Sequence, residues 1–192
     1  MIAEVAGRPN LMAGRTSMTL TKDMKGLGVD VFPNIQNTSY TITSEIEAGP
    51  GVNGVMVCQG GRFGGFSFYI KNGKPAFTYN LFGLKSTTIT ASNPLPPGKH
   101  TIVFDFKYDG GGLGRGGIGT IMIDGQKAGE GRIERTQPGV FGVVDLADVS
   151  ADLGTPVADY GPSSRFTGEI KRVTVQRNAE NAKGGTPPPM ID

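Results

Sequence analysis

The stretch Phe66-Ser-Phe-Tyr-Ile-Lys-Asn-Gly-Lys-Pro-Ala-Phe-Thr-Tyr-Asn-Leu81 decides the fold class. Phe66, Phe68 and Ile70 recur with period two, Asn72-Gly73 follows, and Phe77, Tyr79 and Leu81 resume the alternation after Lys74-Pro75. Period two is the spacing of one face of a strand. Asn-Gly between two such runs is a hairpin signal, because a type I′ turn needs positive φ at both central residues. The segment therefore predicts two antiparallel strands and a tight turn.

The same pattern extends in both directions. Within 38–47, Tyr40, Ile42 and Ile46 share one face while Thr41, Thr43, Glu45 and Glu47 take the other. Within 101–108, Ile102, Phe104, Phe106 and Tyr108 are opposed by Thr101, Asp105 and Lys107. A second hairpin is predicted at Ile121, Ile123, Asp124-Gly125 and the polar return through Lys127. Phe166 and Ile170 share one parity and Val173 and Val175 the other, so a bulge near Lys171 and Arg172 would bring all four to one face. Weaker runs at 17–20, 54–59, 86–91 and 129–134 raise the expected count to ten or eleven strands. Residues 147–153 could make one helical turn at most.

Composition agrees. The 192 residues include 31 Gly and 13 Pro, residues that helices tolerate least. Hydrophobic residues make up 37%, Trp is absent and mean hydropathy is -0.17, which suits a single modest core. The expected fold is all-β, an antiparallel two-sheet β-sandwich spanning 11–177, with an N-terminal arm at 1–10 and a disordered Gly/Pro-rich tail at 178–192. No signal-peptide-like run opens the chain, and no 18-residue apolar stretch exists. As it stands the chain reads as soluble and cytoplasmic.

Charge and cysteine counts narrow the function classes. With 19 Lys+Arg against 17 Asp+Glu, a net charge of +2 gives no drive toward nucleic acid or anionic membranes. One Cys and one His exclude an intrachain disulfide and a structural Cys/His zinc site. His100 follows a Pro-Pro-Gly-Lys turn and lacks a partner nucleophile in the spacing, so a turn-flanking role is expected. The Gly112, Gly114, Gly117 spacing matches a dinucleotide fingerprint formally. The following residues 120–124 read as a strand, where the motif needs a helix. A wide loop between strands is expected instead.

Two constellations are candidates for binding. Arg62 and Phe63 in a Gly-rich turn, Tyr79 and Asn80 on the next strand, Arg115 in the Gly-rich loop, and Arg132 and Arg135 beside Glu134 could grip a sugar, sulfate or carboxylate. The alternative for Arg132 and Arg135 is a scaffolding network with Glu134 or Glu169. Asp145, Asp148, Asp152 and Asp159 lie in a loop rich in Gly and Pro. Oxygen ligands of that kind suit calcium, although the spacing is not that of an EF-hand. No cofactor is required.

The string Gln59-Gly-Gly-Arg-Phe-Gly-Gly-Phe-Ser-Phe-Tyr-Ile-Lys-Asn-Gly-Lys-Pro75 resembles a segment of the C-terminal region of bacterial arylsulfatases. Similar strings follow at Tyr79-Asn80, Phe82-Gly83, 94–100, 108–117, 130–138 and 152–157, covering roughly 8–177. The hairpin at 124–127 resembles those of laminin-G and concanavalin-like sandwiches, which implies that jelly-roll style. Sulfatases carry Cys/Ser-x-Pro/Ala-x-Arg, whereas the only Cys here lies in Val57-Cys58-Gln59-Gly60-Gly61. The resemblance thus implies a non-catalytic accessory domain that packs against a catalytic domain or protein partner, or self-associates. A lectin-like module binding a sugar or sulfated ligand is the alternative. Sulfate-ester hydrolysis would rest on similarity alone.

Overall fold

A computed structural model describes residues 12–22, 24–141 and 145–178. The arm expected at 1–10 and all but the first residue of the tail expected at 178–192 lie outside these. Eleven strands are present in chain order: β1 (Ser17–Leu20), β2 (Tyr40–Ala48), β3 (Gly54–Gly61), β4 (Gly64–Lys71), β5 (Lys74–Leu81), β6 (Lys85–Thr90), β7 (Gly98–Tyr108), β8 (Gly117–Ile123), β9 (Gln126–Ile133), β10 (Ala147–Val149) and β11 (Glu169–Arg177). The described residues contain no helical segment, so none is long and apolar enough to cross a membrane.

The strands form two antiparallel sheets. One has six strands in the order β1-β11-β2-β7-β8-β9, the other five in the order β10-β3-β4-β5-β6. The two decisive hairpins fall where expected. Asn72-Gly73 has φ 52 and 74, and Asp124-Gly125 has φ 51 and 80. Alternating residues meet between the sheets: Ile42 and Ile46 of β2, Ile102, Phe104 and Phe106 of β7, and Phe66, Phe68 and Phe77 of β4 and β5 are buried together. Phe77 and Phe104 stack across the gap with centroids 3.6 Å apart and planes 6° from parallel. Gly119 makes room for this stack, since a Cβ there would lie 2.7 Å from the Phe104 ring. The bulge is also present. The register of β11 on β2 shifts between Ile170 and Arg172, and Ile170, Val173 and Val175 all reach the core.

One element differs from expectation. Residues 147–149 are a strand and not a helical turn, because Ala147 exchanges backbone hydrogen bonds with Leu27 while β10 pairs with β3. An edge strand is a better use of those donors than an isolated turn.

The five-stranded sheet is unusual in being buried on both faces over β3 and β4. The loop after β10 folds back over its outer side. There Val55, Cys58, Tyr69, Ala76 and Tyr160 form a second small cluster with Ala158 against it. This loop becomes one wall of the site below.

Candidate binding groove

Beside that covering loop the outer face of β5 and β6 carries only short side chains. Register pairs Ala76 with Thr90, Thr78 with Thr88 and Asn80 with Ser86. Small residues keep the floor low, while Pro156, Val157, Ala158 and Asp159 rise on the other side. The result is an open groove of about 780 Å³, within the range of ligand sites. From Lys74 to Asn80 it runs six residues along a strand, about 20 Å at ~3.3 Å per residue.

The floor is a grid of hydroxyls. The Tyr69 hydroxyl lies 3.0 Å from Thr78 Oγ1, which lies 2.8 Å from Thr88 Oγ1, linking three adjacent strands. Ser86, Thr88 and Thr90 are exposed. Arg62 closes one end and Lys71 and Lys74 the other. Lys71 Nζ donates to Asp159 Oδ2 at 2.9 Å, and Lys74 Nζ to the Ser92 carbonyl at 2.9 Å. Arg62 makes no side-chain ion pair among the described residues. One carboxylate therefore faces three cations. Tyr69 is edge-on to Tyr160 and buried, so the groove offers hydroxyls and positive charge but no exposed aromatic platform.

The candidate residues divide among three places. Arg62 lines the groove. Arg115, Arg132 and Arg135 lie together around a separate cleft of about 600 Å³ between the β5–β6 turn, the Gly-rich loop and the segment after β9. There Arg132 is held by Asp109 at 2.7 Å and Glu134 at 3.2 Å, so the scaffolding alternative describes it. Glu169 pairs with Lys171 instead. Phe63 is exposed on the β3–β4 turn.

Tyr79 and Asn80 are buried, and of the two only Asn80 lines the groove, at its floor. Tyr79 belongs to the core and its hydroxyl accepts from the Gln137 amide at 2.8 Å, and burial pushes its pKa well up. The Asn80 amide donates to the carbonyls of Gly61 and Arg62, and its Oδ1 accepts from Gly83 N. Asn80 thus clamps the two turns and fixes the position of Arg62.

The four aspartates do not converge either. Asp145 accepts from Thr155 N and Oγ1, Asp148 from Gly26 N and Leu153 N, Asp152 from Val157 N and Tyr160 OH, and Asp159 from Gly161 N and Lys71. Their oxygens hold loop amides in place, the work that a cation would otherwise do. Among the described residues no group of three His, Cys, Asp or Glu is arranged to hold a metal ion. Burial raises the Asp152 carboxyl, aided by the charge of Asp148 and opposed by the Tyr160 and Val157 hydrogen bonds.

Cys58 is buried with its Sγ 3.6 Å from the Ala151 carbonyl. Burial first, and then Asp152 and Asp148, push its thiol pKa well up. That is the reverse of what a thiolate nucleophile needs. His100 sits against Asp124 (Nδ1 to Oδ2 2.8 Å) and the Pro96 carbonyl (2.9 Å), bracing the Asp-Gly turn.

Sequence reasoning missed Thr78, Ser86, Thr88 and Thr90. The signal was present: hydroxyls at i, i+2 and i+4 around the buried Ile89 write an outward polar row.

Known structures share this architecture. The carbohydrate-binding module CBM40 of the Ruminococcus gnavus IT-sialidase superposes with a TM-score of 0.55 at 13% identity, over 85% of this chain and 90% of that one. The same module bound to alpha2,6 sialyllactose gives 0.53 at 12%, over 84% and 92%. The LG4-5 domains of the mouse laminin alpha1 chain give 0.48 at 11%, over 85% of this chain and 39% of theirs. The fold is an antiparallel two-sheet β-sandwich, as in the CBM40 structures. No protein-family model and no curated protein sequence matches the chain, and the arylsulfatase resemblance gains no support from these comparisons.

Proposed function

We propose that the chain is a non-catalytic, lectin-like module that binds an oligosaccharide along the groove on the outer face of β4–β6. The observation that carries this reading is the exposed hydroxyl row Ser86, Thr88 and Thr90, braced from below by the buried Tyr69 and Thr78 hydroxyls, in an open channel ending on Arg62. A sugar presents hydroxyls at regular intervals, and a polar channel reads them by hydrogen bonds. The carbohydrate-binding structural neighbours support the reading at the level of fold. A buried, raised thiol and the lack of a sulfatase motif support a role without catalysis.

Without an exposed aromatic platform, affinity comes from hydrogen bonds and from Arg62 and Lys74. Binding is therefore modest and salt-dependent, and it favours anionic sugars. The test is calorimetric titration with a panel of neutral, sialylated, uronate-containing and sulfated oligosaccharides, sialyllactose among them. Saturable binding by at least one member, abolished in Thr88→Tyr (which fills the channel from an exposed position) and weakened in Arg62→Ala, is the expected result. Silence across the panel, or binding indifferent to Thr88→Tyr, would overturn it.

A further inference from the structure

The β5–β6 turn carries a feature that the groove does not use. Phe82 and Gly83 have φ 55 and 71, the same pair of left-handed residues found at Asn72-Gly73 and Asp124-Gly125. Asn and Asp are favoured in that conformation, whereas a bulky aromatic there is an outlier. Phe82 nevertheless occupies it, and the turn is closed by Leu84 N to Leu81 O at 2.9 Å and Gly83 N to Asn80 Oδ1 at 2.9 Å. The ring gains little by burial, being 45% exposed. Around it, Leu84 is 87%, Leu113 72% and Phe63 72% exposed. Phe82, Leu84 and Leu113 flank one cleft, and a Cβ on Gly83 would lie 3.8 Å from Phe63 Cα. Four large apolar side chains in water at one end of a sandwich is the pattern of an interaction surface.

Charge states the partner's chemistry. Arg115 and Arg135 border the same cleft and have no ion pair among the described residues, whereas their neighbour Arg132 is shared between Asp109 and Glu134, so three arginines face two carboxylates and the cleft keeps a positive balance. Arginine beside aromatic and aliphatic anchors is a composition enriched at protein interfaces. The positive balance of the cleft is complemented by a segment that brings carboxylates of its own. We propose that this end of the molecule docks an acidic polypeptide segment carrying aliphatic or aromatic anchors, with carboxylates on Arg115 and Arg135 and its apolar side chains on Phe82, Leu84 and Leu113. The cleft and the groove share no lining residue, and they adjoin at the β5–β6 turn, where Gly83 lines the groove and Phe82 and Leu84 line the cleft.

The test is selection of a random dodecapeptide display library on the full chain, with counter-selection on Leu84→Asp/Arg115→Glu. Both substitutions are at exposed positions, and an unchanged melting temperature checks that the variant is folded. The surviving clones are expected to be rich in Asp and Glu interleaved with Leu, Ile or Phe. Synthetic peptides made from them should lose at least tenfold in affinity to Arg135→Glu, bind more weakly as salt rises, and be indifferent to Thr88→Tyr. The proposal is overturned if no clone discriminates the two baits, if the discriminating clones are neutral or basic, or if ultracentrifugation shows a dimer that Leu84→Asp dissociates. The last result would assign the face to a second copy.

Discussion

At the scale of single residues, Phe82 and Asp152 are each held in an unfavourable state, and each can be tested alone. Replacing Phe82 with Asn puts a residue suited to φ 55 in the turn. A left-handed residue bearing a Cβ costs about 1–2 kcal/mol, less for Asn, so Phe82→Asn should raise stability by about 0.5–1 kcal/mol in urea unfolding. The same change should weaken peptide docking. Asp152 has a folded-state pKa above its unfolded value near 3.8. The folded protein then holds that proton more tightly, so this contribution to stability is full below the unfolded pKa and is lost as pH rises through the folded value. The stability difference between the native chain and Asp152→Asn should therefore move in favour of the native chain as pH falls from 7 toward 4. Denaturant melts across that range measure it. Tyr79 shows what the sequence holds at this scale. Its parity with Phe77 and Leu81 already pointed it to the core, and grouping it with Arg62 as an aromatic on the next strand passed over that alternation.

At the scale of elements, the bulge in β11 makes a sharper claim. Ile170 and Val173 reach the same core because one extra residue stands between Ile170 and Arg172 in the ladder. Deleting Lys171 removes that extra residue and leaves strict alternation of Ile170, Val173 and Val175. It should fold with a loss near 1 kcal/mol, since the Lys171 pairs with Glu169 and Glu47 are exposed. Deleting Thr174 instead turns Val175 to solvent and should prevent folding, because a one-residue slip exchanges the faces. Circular dichroism and thermal melts separate the two outcomes. The strands, both hairpins and this bulge were legible because alternation, Asn-Gly and Asp-Gly are local signals. The strand at 147–149 was not, because three residues carry no period and its partners, Leu27 and β3, are remote in sequence.

At the scale of the whole molecule, the candidate site arises where three distant segments meet: the short side chains of β5 and β6, the covering loop at 150–165, and the β3–β4 turn with Arg62. Of its lining, Arg62, Asn80 and Asp159 announced themselves in the sequence. The structure separates the arginines, leaving Arg62 on the groove and Arg115, Arg132 and Arg135 on the other cleft. The aspartates read as possible calcium ligands turn out to bind loop amides. Asp145→Ala should loosen the groove wall by releasing Thr155, whose hydroxyl also accepts from Arg62 N at 2.8 Å. Faster amide exchange at 153–158, with the core strands unchanged, is the expected readout.

The central claim is that the outer face of β4–β6 binds oligosaccharide, and amide chemical-shift mapping during titration with the glycan panel tests it most directly. The account predicts saturable shifts confined to Arg62, Thr78, Ser86, Thr88, Thr90 and the wall at 156–159, absent in Thr88→Tyr. Saturable shifts centred on Leu84, Leu113 and Arg115, or none with any member of the panel, would contradict it.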